Sequence, residues 1–423
     1  MSQGVQVSRR AALATAAALI ATACTRPARR AGSRSELVWV TGGLNAGDQG
    51  PARDIAARWN ALHPAGPIAR VEGLSAAADE QRQVLALELN AGLSNVDIFE
   101  LDIDWTAEFA QREWLVDLHE LRSEVERVSL PGSVQTATWD GTLWAAPYTA
   151  DAGILYYRSD LVGTAPTTWE ELIEVGRRVS AEQNGMAPFV ADGAQYEGLV
   201  LQYLEYFWGL GGNVLSGDGS VSFPLDKALQ AAEFMRTAFR EGVYAPGFNT
   251  MELDQASSTF ESGEAIFMRL WPYAYRNMTG GGPDSQVVGK VGIAPLPAFT
   301  GHGPVAARGG QNLAVSAFSR NISAAVEFVR FASTSREVQR GLAERHSRAP
   351  TLAAAYHDLR DDPLMTLLAR VLPTARPRPA TKAWSVISEE IQQQIFAAYT
   401  GVVEPGVAVE NLRRFLVATV GGG

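Results

Sequence analysis

Asp102 and Asp151 are the best-placed candidates for chemistry in this chain. Residues 96–101 are predicted to form a strand, and Asp102 follows at its carboxyl end. In α/β sheets, ligands collect at the carboxyl ends of the strands. A pair of carboxyl groups on either side of a glycosidic bond would hydrolyse it if one of them had a raised pKa. A secreted glycoside hydrolase that uses Asp102 and Asp151 is therefore one hypothesis for the function.

Other catalytic and cofactor-binding patterns are absent from the sequence. It contains neither a Gly-x-Ser-x-Gly elbow nor a His-Glu-x-x-His helix. Gly289 and Lys290 precede Val291, whereas a phosphate-binding P-loop needs Ser or Thr at that position. The histidines have no metal-ligand spacing, so we expect neither a metal nor a cofactor. The histidines are His63, His119, His302, His346 and His357.

Cys24 is the only cysteine and directly follows a segment typical of an export signal. Arg9 and Arg10 form a positive n-region, and residues 11–23 contain only Ala, Leu, Ile and Thr. This run is too short to span a bilayer. It resembles a lipoprotein signal, so we predict a signal peptide over residues 1–23, a lipid on Cys24 and a flexible tether over residues 24–35. The alternatives are an uncleaved anchor helix and a lone buried thiol.

The composition is that of an ordinary globular protein with more than one core. About 390 residues follow the predicted signal and tether, which exceeds what one hydrophobic core usually organises. The formal net charge is −10, and loss of Arg9 and Arg10 would make it more negative. Nucleic acid is an unexpected partner, because its binding normally needs a basic face. We expect at least two lobes without disulfides between them.

Short strands alternate with longer helices along the chain, which favours an α/β architecture. Predicted helices over residues 51–62 and 79–90 end before Pro64 and at Gly92. Thr168 and Glu171 form a capping-box pattern at the start of another helix. Further helices are predicted over residues 195–210 and 225–241, and further strands over residues 37–40, 153–157, 265–268 and 291–294.

Several ordered stretches resemble the extracellular solute-binding proteins of ABC sugar importers, most closely the trehalose/maltose-binding branch. Each stretch is weakly specific by itself, but together they follow the family order over nearly all of the predicted mature chain. The matching stretches are residues 80–82, 96–99 with 102–105, 143–147, 151–158, 195–200, 271–274, 289–297, 309–310 and 377–379.

The resemblance implies a two-lobed α/β fold of the periplasmic binding protein type, with the ligand cleft between the lobes. Three crossings between the lobes are expected near residues 146–151, 293–297 and 348–352, each a proline-bearing connection as a hinge would need. The expected N-terminal lobe comprises residues 36–147 and 296–349, and the expected C-terminal lobe comprises residues 148–295 and 350–423.

The resemblance also implies a carbohydrate site. Asp102 and Asp151 would accept hydrogen bonds from sugar hydroxyls on opposite lobes, and Arg378 would donate. Trp271 matches the family's stacking tryptophan, since a pyranose ring packs an apolar face on an aromatic side chain. Backbone amides at a Gly-Gly pair could approach the ligand closely. The remaining candidates are Gly309 and Gly310, the matched residues Gln81 and Glu197, and Asn45, which lies where close relatives have a nearby glutamate.

Each of these residues also has an ordinary structural alternative. Asp102 could be a solvated strand end, Asp151 a turn cap, Trp271 a core residue, and Arg378 a surface loop residue. The Gly-Gly pair could be only a turn. The chain also departs from the family, because it has no aromatic residue at two positions of the expected cleft. These positions are Thr149 and Gln311, and Trp105, Tyr196 or Trp384 could compensate for the lost aromatic surface.

We therefore predict a lipid-anchored, monomeric binding protein on the outer face of a bacterial cell membrane. It would capture an α-glucoside disaccharide of the trehalose or maltose type without altering it. Its partners would be two ABC permease subunits served by a cytoplasmic ATPase. A lipid-anchored adhesion module is a third hypothesis, but the β-rich domains or repeats expected of it are absent from the sequence.

Overall fold

The computed structural model of the chain describes residues 35–47, 50–280 and 285–421. The predicted signal peptide, Cys24 and all of the predicted tether except Ser35 lie outside these ranges. Within them, no helix combines the length and apolarity that crossing a bilayer requires.

Strands and α-helices alternate along most of the described chain. The strands are β1 Glu36–Thr41, β2 Ile68–Gly73, β3 Ile98–Asp102, β4 Thr138–Trp139, β5 Thr142–Leu143, β6 Ala146–Ala152, β7 Ile154–Arg158, β8 Ala187–Val190, β9 Ala265–Leu270, β10 Val291–Pro295 and β11 Arg308–Val315. The α-helices are α1 Gly43–Ala46, α2 Pro51–Leu62, α3 Ala78–Asn90, α4 Thr106–Gln111, α5 Arg122–Val128, α6 Pro131–Thr136, α7 Trp169–Glu182, α8 Glu197–Gly209, α9 Leu225–Arg240, α10 Leu253–Glu261, α11 Tyr275–Thr279, α12 Ile322–Thr334, α13 Arg336–His346, α14 Ala353–Asp358, α15 Pro363–Val371, α16 Trp384–Thr400 and α17 Pro405–Val420.

Two sheets organise two lobes, each around its own hydrophobic core. The first sheet has the strand order β2-β1-β3-β11-β6, and the second has the order β10-β7-β9-β8. β1 lies parallel to β2 and β3, whereas β11 runs antiparallel to β3 and β6. The core of the first lobe packs around Trp39 and Phe328, and that of the second lobe around Tyr206 and Phe267. The predicted two-lobed α/β fold is confirmed.

The local signals in the sequence place most elements where they were expected. α2 begins at Pro51 and ends at Leu62, with the bounds that its flanking residues predicted. The Thr168 hydroxyl accepts a hydrogen bond from the Glu171 backbone N–H and caps α7. α8 begins at Glu197, two residues later than predicted, because Tyr196 has an extended backbone. Glu197 is therefore the first residue of the helix.

The chain passes between the two sheets at three places. β6 of the first sheet leads through Gly153 into β7 of the second. A second crossing lies between β10 and β11, and a third lies between α13 and α14, where Ala349 accepts a hydrogen bond from the Ala150 backbone N–H at 2.9 Å. Residues Leu296 and Ala307 are buried in the second core. We therefore propose that the second lobe extends to about residue 307, rather than to residue 295.

Candidate functional site

One cleft between the lobes brings together the residues that the sequence singled out. Its walls come from the carboxyl end of β3, from β6 and β11, from the end of β9 and from the start of α8. All nine predicted ligand-binding residues line it, namely Asn45, Gln81, Asp102, Asp151, Glu197, Trp271, Gly309, Gly310 and Arg378. Residues that lie more than 300 positions apart in the chain thus meet at one site.

Arg378 lies in a cluster of carboxylates that spans the cleft. Its Nη1 donates to Glu197 Oε1 at 2.8 Å, and its Nη2 donates to Asp102 and lies 3.0 Å from Asp104 Oδ1. Asp102 and Asp104 belong to the first lobe, and Glu197 begins α8 of the second lobe. Burial alone would lower the pKa of Arg378, but the three carboxylates raise it above its ordinary value. The guanidinium therefore stays charged and joins the two walls.

Glu197 is committed to this cluster through both of its oxygens. Oε1 accepts from Arg378 and from the Trp384 indole N–H at 3.4 Å, and Oε2 accepts from the Ser388 hydroxyl. The backbone N–H of Glu197 donates to Asp79 Oδ2 at 3.2 Å. Asp79 belongs to α3 of the first lobe, so a carboxylate of one lobe caps the first turn of a helix in the other.

Asp151 presents a buried carboxylate to the cleft. Its residue is 4% exposed, and its Oδ1 has no hydrogen-bond partner among the described residues. Burial raises the pKa of Asp151 to about 6, while the field of Arg348 opposes this rise. Asp151 lies opposite Gly309 in the pairing of β6 with β11. Both residues line the cleft.

Arg348 is a cleft residue that the sequence analysis treated only as part of a crossing. It is 7% exposed, and its guanidinium carbon lies 4.8 Å from the centre of the Tyr273 ring. Among the described residues, no carboxylate forms an ion pair with it, although Glu100 and Asp151 are close enough for its charge to lower their pKa values. A charged residue directly before Ala349 and Pro350 in a predicted crossing was the signal that could have identified it.

Trp271 forms a partly exposed aromatic surface at the end of β9. Its backbone carbonyl accepts from the Tyr156 hydroxyl at 2.8 Å, and the Arg269 guanidinium lies 4.4 Å from its ring centre. A Cβ added to Gly309 would come within 2.7 Å of the indole ring. The glycine therefore allows β11 to pack against Trp271, and the indole is fixed from several sides.

Arg269 is itself held by a buried ion pair in the second lobe. Its Nε and Nη2 donate to the two oxygens of Glu205 at 2.9 and 2.7 Å, and Glu205 also accepts from the Ala307 backbone N–H. Asp192 lies 3.7 Å from Arg269 Nη1 and lines the cleft. Burial raises the pKa of Asp192 to about 6, against the field of Arg269. Sequence reasoning did not identify Asp192, because no motif marks it.

Gly310 has a conformation that its position requires. Its φ is +112°, and a Cβ there would collide with the Thr149 carbonyl oxygen. The Gln311 backbone N–H donates to the Thr149 hydroxyl at 3.1 Å, and the two side chains also hydrogen-bond to each other. The two positions that lack the family's aromatic residues thus form a polar pair at the irregularity of β11.

Asn45 and Gln81 are anchored within the first lobe. Asn45 Nδ2 donates to Glu100 Oε1 at 2.5 Å, while its Oδ1 is buried without a hydrogen-bond partner in the described chain. Gln81 Nε2 donates to the backbone carbonyls of Ser75 and Ala76. Asn45 thus leaves an acceptor in the cleft, whereas Gln81 uses its donors to hold a neighbouring loop.

The aromatic residues expected to compensate for the missing ones lie at the site. Trp105 and Tyr196 line the cleft, and Trp384 lies in an adjoining space that shares Asp102 and Arg378 with it. The hydroxyl group of Tyr273 is buried and has no hydrogen-bond partner within the described ranges, whereas the Tyr196 hydroxyl interacts with the Asp192 carboxylate. The described residues contain no group of His, Cys, Asp and Glu side chains arranged to hold a metal ion.

The chain is similar to known binding proteins in sequence. The family model of the bacterial extracellular solute-binding protein matches residues 46–339. A protein of Deinococcus radiodurans named "Probable ABC transporter-binding protein" is 32% identical over 364 residues, which cover 82% of this chain and 85% of that protein. The diacetylchitobiose binding protein DasA of Streptomyces coelicolor is 26% identical over 70% of this chain and 69% of its own length.

The fold is similar to that of a solved maltose complex. The maltose-bound MalE3 of T. maritima superposes with a TM-score of 0.83 and 32% sequence identity, over 90% of this chain and 98% of that one. The acarbose-binding GacH receptor of Streptomyces glaucescens superposes with a TM-score of 0.80, but at 20% identity it supports the fold alone.

Proposed function

Because the chain belongs to the family of bacterial extracellular solute-binding proteins, we propose that it captures an α-glucoside disaccharide of the trehalose or maltose type for import. It is a solute-binding protein of the ABC transporter type, and sugar-binding proteins are among its relatives. Two permease subunits and a cytoplasmic ATPase would complete the importer.

The observation that supports this proposal is a set of buried polar atoms in the cleft that lack partners. Acceptors are left at Asp151 Oδ1 and Asn45 Oδ1, and a hydroxyl group is left at Tyr273 within the described ranges. An unpaired buried polar group costs about 1–3 kcal/mol, so such a site favours a ligand that fills these positions. Sugar hydroxyls both donate and accept, and can therefore satisfy both kinds of group.

The aromatic surface and the charges of the cleft also fit a neutral sugar. Trp271, fixed by Arg269 and Gly309, offers a flat face to the apolar side of a pyranose ring. Asp102, Asp151 and Asp192 line the same space and disfavour a phosphorylated or acidic ligand. Asp102 accepts from Arg378 with one oxygen, and its side chain is partly exposed to the cleft. The proposed ligand contacts are therefore to acidic and indole groups.

We propose no hydrolytic step at this site. The raised pKa of Asp151 would suit a general acid, but Asp102 is bound to Arg378 and its charge is already compensated. A committed carboxylate is a poor nucleophile or base. Incubation of the protein with maltose and trehalose, followed by chromatography, should give no glucose; glucose release that disappears in Asp151→Asn would favour the hydrolase hypothesis instead.

Closure of the lobes would follow from the placement of the ligand contacts. Asp102 lies on the first lobe and Trp271 on the second, so a ligand meets both only when the lobes are together. Binding then shifts the population towards the closed form by the difference in affinity.

A panel of monosaccharides, disaccharides and longer oligosaccharides tests the proposed ligand class. Thermal shift followed by calorimetry should give the tightest binding for an α-linked glucose disaccharide. Trp271→Ala should weaken that binding about 10-fold or more through loss of stacking, while Trp139→Ala, outside the cleft, should not. Preference for a monosaccharide or a charged sugar would contradict the proposal.

The proposed membrane attachment depends on Cys24, which lies outside the described residues. Cys24→Ser should release the expressed protein into the medium, because two acyl chains anchor far more stably than none. Cell fractionation measures this directly. Continued membrane association of the variant would contradict lipidation at Cys24.

A further inference from the structure

Arg348 and Arg378 both line the cleft, but only Arg348 lacks an ion pair with a carboxylate of the described chain. Arg378 contacts Asp102, Asp104 and Glu197 through its two terminal nitrogens, and only its Nε is buried without a hydrogen-bond partner among the described residues. Arg348 has no ion pair and no side-chain hydrogen bond among the described residues, and it rests on the ring of Tyr273. A hydrogen-bond donor committed to three carboxylates adds little to ligand binding, whereas an uncompensated one has much to gain.

Hydrogen bonds fix the backbone on both sides of Arg348. Ser347 has a left-handed conformation, with φ +50°, and ends α13. The Arg348 backbone N–H donates to the Leu342 carbonyl at 3.0 Å, and Ala349 accepts from Ala150 at 2.9 Å. Asp151 follows Ala150 directly. One hydrogen-bonded segment therefore holds both Arg348 and Asp151.

Arg348 and Asp151 are a complementary pair without being an ion pair. Each is more than nine-tenths buried, and the described atoms of their side chains do not approach within ion-pair distance of each other. Asp151 Oδ1 has no partner in the described chain, and both side chains line the cleft. A donor and an acceptor that are both unsatisfied leave space for a group that accepts from one and donates to the other. A hydroxyl does this, whereas a carbonyl or an ammonium cannot.

We propose that Arg348 and Asp151 together bind one hydroxyl, or two adjacent hydroxyls, of the sugar, and that Arg348 is a specificity-determining donor of this site. This inference rests on the proposed function. In it, Arg378 is a positioning residue, which joins Asp102 to Glu197 across the cleft.

Calorimetry with maltose on the full secreted chain tests the role of Arg348. Arg348→Met should weaken binding about 10- to 100-fold, the range for a lost hydrogen bond to a charged donor. Arg348→Lys keeps the charge but not the planar fork, so its loss should be intermediate. Arg340→Met on the exposed face of α13 is the matched control and should bind as the wild type does.

A double-mutant cycle separates shared recognition from a structural role. In an Asp151→Asn background, Arg348→Met should weaken maltose binding by a further factor of less than about 3, because the common hydroxyl has already lost its acceptor. One monodeoxy maltose, which lacks the hydroxyl that Arg348 contacts, should bind the wild type more weakly than maltose does. The Arg348→Met variant should bind this analogue and maltose with equal affinity. A merely structural arginine would give equal losses for every analogue and a lower melting temperature of the ligand-free variant.

Different results would overturn the two proposals. If the wild type binds maltose and Arg348→Met binds it equally well, the role of Arg348 is wrong and the proposed function stands. If the wild type binds no sugar of the panel, both are wrong. If Arg348→Met does not fold, the Arg348→Lys variant is measured with maltose and the monodeoxy analogues. A maltose affinity and relative analogue affinities equal to those of the wild type would exclude a contact between Arg348 and the ligand.

Discussion

The Arg378 cluster and the Arg348 cluster occupy the same cleft and differ in how their charges are compensated. In the first, one guanidinium meets Asp102, Asp104 and Glu197, and Ser388 satisfies a remaining carboxylate oxygen. In the second, Arg348 and Asp151 are buried without ion pairs in the described chain. The first cluster holds the two walls in register. In the second cluster, the burial of unpaired charged groups costs free energy, and a polar ligand that hydrogen-bonds to them offsets part of this cost.

This difference teaches where affinity originates in a cleft lined by charges. Polar groups that are satisfied within the protein contribute geometry, and polar groups left unsatisfied contribute a preference for the ligand that completes them. Removal of Arg378 from the first cluster and of the Asp151 charge from the second should therefore have opposite effects on the stability of the ligand-free protein.

Arg378→Met should have the largest effect on stability. It leaves Asp102, Asp104 and Glu197 close together without a cation, and breaking a buried ionic cluster in this way costs about 3–5 kcal/mol. Urea denaturation of the ligand-free protein measures the change. Arg376→Met is the control, because the Arg376 side chain hydrogen-bonds to Gly212 and Asn213 and packs over Trp208, but has no carboxylate partner among the described residues, and its loss should cost less. Equal losses for both variants would show that the cluster is not held by Arg378.

Asp151→Asn should stabilise the ligand-free protein at neutral pH. Burial raises the pKa of Asp151 from 3.8 to about 6, so its ionised form is disfavoured in the folded state. Such a group contributes stability below about pH 4, and that contribution is lost as the pH rises through 6. The variant should therefore match the wild type near pH 4 and exceed it by about 1–3 kcal/mol at pH 7.5. Urea denaturation across this range measures the difference; lower stability of the variant at pH 7.5 would contradict an unsatisfied carboxylate.

Sugar affinity should depend on pH in the opposite direction, and this is the smallest of the three effects. A hydroxyl that donates to ionised Asp151 favours the charged form, so affinity should rise several-fold between pH 5 and pH 7. The groups that act on Asp151 are Arg348 and Asp102, with Tyr156, Tyr273 and Tyr356 nearby. Calorimetry at several pH values tests this, and Asp151→Asn should flatten the profile. An equally steep profile in the variant would assign the titration to Asp192, whose pKa is also raised to about 6.

Much of the fold could be predicted from local features of the sequence. Pro51 and Pro64 bound α2 because proline starts a helix readily and cannot continue one. Thr168 capped α7 as its spacing from Glu171 predicted. The start of α8 was predicted less accurately, because Tyr196 has an extended backbone and the Glu197 backbone N–H donates to Asp79 of the other lobe.

The sequence predicted which residues line the candidate site more accurately than it predicted the role of each residue. All nine singled-out residues line one cleft, since ordered motifs at strand ends and crossings mark positions that the fold brings together. The role of each residue depends on its partners. The resemblance implied that Arg378 donates to the sugar and that Glu197 contacts it. Both hydrogen-bond to neighbouring side chains, and their direct contact with the ligand stays a prediction.

The sequence by itself determined the alternation of strands and helices and their caps, because these follow from patterns within a few residues, and its resemblance to a known family indicated the positions that face the cleft. Only the tertiary structure decided which arginine is paired and which carboxylate is left open. Arg378 meets Asp102 and Glu197 across 276 and 181 positions of the chain, and no local pattern records such distances. Compensation of charge is a property of three-dimensional neighbourhoods, since Coulomb energies and desolvation depend on distance and burial rather than on order along the chain.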